Sequence, residues 1–246
     1  MAVAVDQTAL PLPAVAVRHR SDHGRWLSSS PREAALLPLE RALPVSVPRA
    51  YPKRRGRIGW WWSASSGRQV GYSSLMRRDV AMLLDFDCAV REFASWPLQL
   101  TWHTGSGERR WTPDFFARRA DGSGMVVACP PAAGVSTRWA ERESVLRQVC
   151  AAAEWKLGTP VVPVSVPLVN MRWLAAFRHP RLADEKLEGI LLEVFSTPTT
   201  IRQAAQEVGP ALRALPRIYH LMWRQELAFD WSTALGLDTV VWRSPR

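Results

Sequence analysis

From Ser73 to Val166 the hydrophobic pattern changes its period repeatedly, and that succession restricts the fold more sharply than any single motif. Ser73 or Ser74 is placed to cap a helix running to about Leu84, with Leu75, Met76, Val80, Leu83 and Leu84 on one apolar face. Leu98, Leu100 and Trp102 alternate as a strand does, and Gly105-Ser106-Gly107 supplies a turn. A second strand is predicted over Arg109–Ala117. Asp121-Gly122 marks a tight turn, and Met125–Cys129 is a short apolar run suited to a buried strand. Arg138–Lys156 predicts a helix and Val161–Val166 a further strand. Helix, three-stranded meander, helix and strand together define a mixed α/β core.

After Pro167 the pattern becomes helical over 170–177, 184–195, 200–208 and 211–224, with Thr199 or Thr200 as an N-cap. Two short apolar pieces follow, Leu227–Trp231 and Thr239–Trp242. Small helices ending in a β-ribbon predict a small, mainly helical domain of winged-helix type. Residues 1–50 show neither period, and Pro recurs at 11, 13, 31, 38, 44 and 48, so this stretch is expected to be disordered or loosely docked. The predicted organisation is a basic arm at 1–56, an α/β domain at 57–168 and a winged-helix-like domain at 169–246.

Charge adds a partner class. The chain carries 32 basic and 22 acidic side chains, a net +10, and most of the surplus falls within the first 70 residues. A basic arm on two nearly neutral domains points to a polyphosphate partner, DNA or RNA. Lys53, Arg54, Arg55 and Arg57 precede Gly59-Trp60-Trp61-Trp62, and cations beside aromatics suit backbone contact with stacking. The same tryptophans equally suit closing the edge of a core. Arginine outnumbers lysine 29 to 3, Asn170 is the only asparagine, and tryptophans outnumber tyrosines 13 to 3, as a GC-rich coding sequence produces.

Several classes are set aside on the same reading. No apolar run reaches the roughly 18 residues of a membrane helix, and Asp6, Pro11 and Pro13 interrupt the first apolar stretch, which argues against a secretory signal. Cys88, Cys129 and Cys150 cannot all pair and form no CxxC, so a reducing cytoplasm is expected. His19 and His23 have metal-compatible spacing only on a helix that this segment does not support, and are read as solvated. His103 and His220 sit singly beside aromatics and are read as packing. Cys129 within an apolar strand is read as buried and inert.

Short motifs in fixed order then carry a resemblance. Gly59-Trp60-Trp61-Trp62-Ser63-Ala64, Ser66-Gly67-Arg68-Gln69-Val70-Gly71-Tyr72, Leu83-Leu84-Asp85-Phe86-Asp87 and Trp111-Thr112-Pro113-Asp114-Phe115-Phe116 resemble the TnsA-type endonuclease subunit of heteromeric transposases. Ala214–Arg224 is similar to the winged-helix half of that family, and the likeness spans about residues 57–242. It implies a restriction-endonuclease-like mixed sheet, Mg²⁺-dependent cleavage of transposon 5′ ends, and three partners: DNA, an integrase-like transposase subunit and a regulatory ATPase. It also implies a bacterial, nucleoid-associated setting without a membrane.

The departures fall on the catalytic positions of that family. Its first-helix acid would lie at Ser73 or Arg77, and its acid-x-Lys or Gln-x-Lys triplet at Ala128-Cys129-Pro130. Between Gly122 and Ala140 there is no Asp, Glu, Gln or Lys. Asp114 alone is retained, and one carboxylate is too few for Mg²⁺. A guanidinium at Arg77 is expected either to pair with Asp114 in the metal's place or to lie solvated. Glu141 and Glu143 are the candidates for relocated ligands. Arg109, Arg110, Arg118 and Arg119 flank Asp114 and are expected to contact DNA, or else to be solvated hairpin edges. Three readings follow: a non-cleaving subunit bridging DNA and partners, an active endonuclease with relocated ligands, or a winged-helix regulator on a nuclease-fold scaffold.

Overall fold

A computed structural model describes residues 14–49, 56–131 and 134–245. They form two compact units, one within 1–61 and 69–160 and the other within 62–68 and 161–246. Up to Pro160 the elements are β1 (Ala16–Arg20), β2 (Trp26–Ser29), α1 (Pro31–Ala34), β3 (Gly59–Trp62), β4 (Gln69–Tyr72), α2 (Leu75–Phe86), β5 (Val90–Ser95), β6 (Leu98–Thr104), β7 (Gly107–Trp111), β8 (Phe115–Arg119), β9 (Gly124–Val127), α3 (Thr137–Ala153) and β10 (Lys156–Gly158). The fold class is mixed α/β, as the changing period predicts.

Two four-stranded sheets dominate this unit. One has the order β10-β9-β8-β5, with β5, β8 and β9 antiparallel and β10 parallel to β9 through the α3 crossover. The other has the order β2-β1-β6-β7 and is antiparallel throughout. The single strand expected over Arg109–Ala117 is therefore two strands in two different sheets. Pro113 explains the break, because it brings no N–H to a ladder and restricts Thr112 before it. The strand expected at Val161–Val166 is absent: Val161 and Val164 are 84% and 77% exposed, and the fourth strand of the sheet is β10 instead. β5 was not foreseen.

The expected disorder of the N-terminal arm is corrected over residues 14–49. Val17 and His19 alternate with Arg18 and Arg20 along β1, and the first pair is buried while the second is not. Val17 joins Leu98, Leu100 and Trp102 in a core completed by Phe116, Val126, Val145, Leu146 and Val149. His19 is thus a core residue facing Ser29 at 3.3 Å, whereas His23 is exposed. α1 is closed by a reciprocal cap between Ser30 and Glu33, and its neighbour Arg41 pairs with Glu92 on β5. Five residues of alternation among prolines were too short to read as a strand. Lys53, Arg54 and Arg55 lie outside the described residues.

α2 starts where Ser74, not Ser73, accepts from the Arg77 N–H at 3.3 Å. Its buried face carries Asp79, Val80, Ala81, Met82, Leu84 and Asp85, while Leu75 is exposed. Buried Asp85 accepts from the Trp61 indole N–H at 2.9 Å, and Asp79 pairs with Arg78 at 2.7 Å. Trp61 therefore belongs to the core, and Trp60 beside it is 52% exposed. Gly71 on β4 is fixed by close approach: a Cβ there would stand 2.4 Å from the Trp96 ring.

The second unit contains α4 (Ser165–Leu174), α5 (Glu185–Val194), β11 (Thr199–Thr200), α6 (Ile201–Val208), α7 (Ala211–Trp223), β12 (Leu227–Phe229) and β13 (Val240–Arg243). The strands form an antiparallel sheet in the order β11-β13-β12. Thr200 caps α6 in a reciprocal box with Gln203. Asn170 on α4 is buried and ties down the loop after β12, donating to the Trp231 and Thr233 carbonyls at 3.3 and 2.7 Å and accepting from the Leu235 N–H at 2.9 Å. That anchoring puts α4 with the following helices, so the boundary falls at 160 rather than at 168. Buried His220 is a packing residue, with Nδ1 2.7 Å from the Phe177 carbonyl oxygen.

Candidate functional site

The break at Pro113 delivers Asp114 to the point where β7 leaves one sheet and β8 enters the other. Its backbone is held on both sides, the N–H donating to the Val127 carbonyl at 3.1 Å and the carbonyl accepting from the Trp96 N–H at 2.9 Å. The carboxylate is nearly buried. Oδ2 accepts from the Cys129 backbone N–H at 2.8 Å, and Oδ1 accepts from Arg77 Nε at 2.5 Å. Arg77 also donates through Nη2 to the Cys129 carbonyl at 3.2 Å. One guanidinium on α2 thus closes a ring with Asp114 and the end of β9. Of the two expectations for Arg77, pairing rather than solvation is found.

This arrangement does not fit Mg²⁺. Both Asp114 oxygens are already engaged, and a full positive charge stands beside Oδ1. Among the described residues no three His, Cys, Asp or Glu side chains come together as a metal-holding group. Mg²⁺ takes several oxygen ligands around an octahedron, which a carboxylate committed to Arg77 does not offer. Ser73 is not the cap of α2 and makes no part of the ring. Ala128 and Pro130, on the segment paired beside Asp114, line a largely apolar cavity of about 170 Å³ that shares Trp111 and Trp139 with the pocket holding Asp114.

The relocation candidates are committed elsewhere. Glu141 accepts from the Trp102 indole N–H at 3.0 Å, and Glu143 pairs with Arg147 one turn on at 2.5 Å. Cys129 is fully buried, and burial together with the Asp114 charge pushes its thiol well above the ordinary range. His103 departs from the packing expectation, because it lies exposed on β6.

The flanking arginines divide. Arg118 is withdrawn from any ligand: it pairs with Glu40 at 3.1 Å and donates to the Leu37 and Gly122 carbonyls. Arg119 lies 3.9 Å from Asp87, and Arg57 is exposed. Arg110 pairs with Glu108, and Arg109 donates to Ser106 at 2.8 Å. Both line a cavity of about 430 Å³ with Trp102, Glu108, Glu141 and two residues that the sequence reading missed, Arg138 and Arg142. These two also line a cavity of about 270 Å³ with Arg77 and Asp114. The signal was available: 138 and 142 are four apart on a predicted helix, hence on one face.

No family model and no curated protein matches the chain.

Proposed function

We propose that this chain is a TnsA-like subunit of a heteromeric DNA transposase that has the nuclease fold but does not cut, and serves as a DNA-bound bridge between partners. The observation that carries the reading is the Arg77–Asp114 pair, which engages the carboxylate that the resemblance would assign to a metal. Two features of topology support the family assignment. A helix leads into three antiparallel strands, β5, β8 and β9, with the β6-β7 hairpin of the other sheet inserted between the first two. A crossover helix adds β10 parallel to β9, and apart from that insertion this is the order expected of a restriction-endonuclease-like core. In the second unit, α5, β11, α6, α7, β12 and β13 follow the helix-strand-helix-helix-strand-strand order of a winged helix. A transposase complex with only its 3′ cutting partner active joins single strands, and replication then yields a fused, copied product rather than simple excision.

The test uses purified full-length protein with its matching transposase and ATPase on labelled donor ends, in Mg²⁺ and again in Mn²⁺, beside Asp114→Ala. Only 3′ nicks, with the protein retained in the complex, are expected. Asp114-dependent cuts at the 5′ ends would overturn the reading and restore a metal-dependent endonuclease. Tight, sequence-specific DNA binding by the protein alone would favour a regulator instead.

A further inference from the structure

We propose that Arg138 and Arg142 form a metal-free clamp for a DNA backbone phosphate beside the Arg77–Asp114 pair, an inference that rests on the reading of this chain as a DNA-bound subunit.

The geometry supporting the clamp is a surplus of unneutralised charge at one place. Across the two cavities that share Arg138 and Arg142, five arginines meet three carboxylates. Each carboxylate is already engaged: Asp114 by Arg77 and the Cys129 N–H, Glu108 by Arg110, and Glu141 by the Trp102 indole. Arg138 and Arg142 form no ion pair among the described residues. Glu141 acts on Arg142 only as a neighbouring charge.

These two side chains are also placed at a cost. α3 begins at Thr137 and has no acid in its first turn, so Arg138 sits at the positive end of the helix, where a cation is disfavoured, while Arg142 lies one turn further on beside it. Burial and the charge of Arg138 hold Arg142 below the ordinary arginine range. The Arg142 guanidinium lies 5.7 Å from the centre of the Trp111 ring, and Trp111 meets Trp139 edge to face, so the cation faces a packed aromatic wall. An anion between the two guanidinium groups removes both penalties, since planar forks of this kind bind phosphate oxygens in pairs.

The extent of the lining selects a polymer over a lone anion. Past the pocket of about 270 Å³, the larger cavity continues the same arginines with Arg109 and Arg110. A single phosphate occupies only part of the first and leaves Arg109 and Arg110 unmet, whereas a repeating phosphodiester has charge to reach both.

Full-length wild-type protein and Arg138→Ala/Arg142→Ala are titrated with a fluorescein-labelled duplex in EDTA over a range of KCl, and inorganic phosphate is added as competitor. The double variant is expected to bind about tenfold more weakly, with the slope of log affinity against log salt reduced by about one, and the loss uniform across sequences. Its thermal midpoint is expected at or above that of the wild type, because a repulsion is removed. Equal affinity and slope for both proteins would overturn the clamp and leave the proposed function standing. Failure of the wild type to bind DNA would overturn both, including the case where phosphate alone raises its thermal midpoint. Asp114-dependent cleavage in the Mg²⁺ or Mn²⁺ assay above, with affinity in EDTA still dependent on the two arginines, would overturn only the non-cutting reading.

Discussion

Arg77 on α2 and Asp114 ahead of β8 are 37 residues apart in sequence, and their side chains meet at 2.5 Å with Asp114 nearly buried. A half-buried charge pair of this kind is asymmetric in its energetics. Its net contribution is modest, but removing one partner leaves the other desolvated and unpaired. Arg77→Ala is therefore expected to cost on the order of 2 to 3 kcal/mol, measured by urea unfolding. Arg77→Ala/Asp114→Ala is expected to recover part of that loss, giving a coupling of about 1 to 2 kcal/mol in a double-mutant cycle. Additive losses would mean that the two side chains do not act as a pair.

Arg77→Glu reverses the charge beside the same carboxylate. Two acids facing each other raise the free energy of the folded state unless a cation or proton joins them. The variant is expected to melt below the wild type in EDTA and to regain stability in Mn²⁺, while the wild type is indifferent to the ion. DNA cleavage is not expected to return, because no lysine lies between Gly122 and Ala140 to support charge at a scissile phosphate. A melting curve of Arg77→Glu that ignores Mn²⁺ would show that the position does not control metal access.

Much of this site was legible in the chain, and the reasons for the rest are physical. Pro113-Asp114 and a helix opening at Ser73 or Ser74 depend on neighbours in sequence and were legible, whereas the Arg77–Asp114 pairing was one of two expectations drawn from the resemblance. The Ala128-Cys129-Pro130 segment lies where it was expected, since β8 and β9 pair Phe115 with Val127 and the Cys129 N–H reaches Asp114 Oδ2. The folded part of the arm was missed because Val17 is buried by β6, some eighty residues away, and pairing over that distance leaves no local period. Arg118 looked available by composition, yet its fate is set by Glu40 and the Leu37 carbonyl, both in that same arm.

The three thiols are expected to separate sharply. Cys88 is exposed, whereas Cys129 and Cys150 are buried, and burial pushes Cys150 up to about 12 and Cys129 higher still. Thiolate is the reactive species, so one thiol per chain should label with a maleimide at pH 7.5 in native buffer and three after unfolding. The sign of the linkage follows. Thiols raised in the folded state favour folding fully below their unfolded value near 9, and that stability is lost as pH rises toward the folded values. Tyr219, also raised by burial, acts in the same direction. The urea midpoint should fall between pH 8 and pH 10.5. A flat midpoint, or rapid labelling of a second cysteine, would contradict this burial pattern.

Asn170 supplies the last test, in the second unit. It is the only asparagine in the chain, and its amide satisfies two carbonyls and one N–H of the loop leading from β12 toward β13. Asn170→Ala removes all three bonds within a buried setting and is expected to cost about 2 to 4 kcal/mol. Asn170→Asp keeps an acceptor for the Leu235 N–H but loses both donors and sets a carboxylate against the Trp231 and Thr233 oxygens. Its folded pKa is therefore raised, so its stability relative to the wild type is greatest below the unfolded value near 3.9 and falls as pH rises above it. Circular dichroism of urea unfolding at pH 4 and pH 7 checks the sign. An Asn170→Asp protein no less stable, relative to wild type, at pH 7 than at pH 4 would show that the loop is held by something other than this amide.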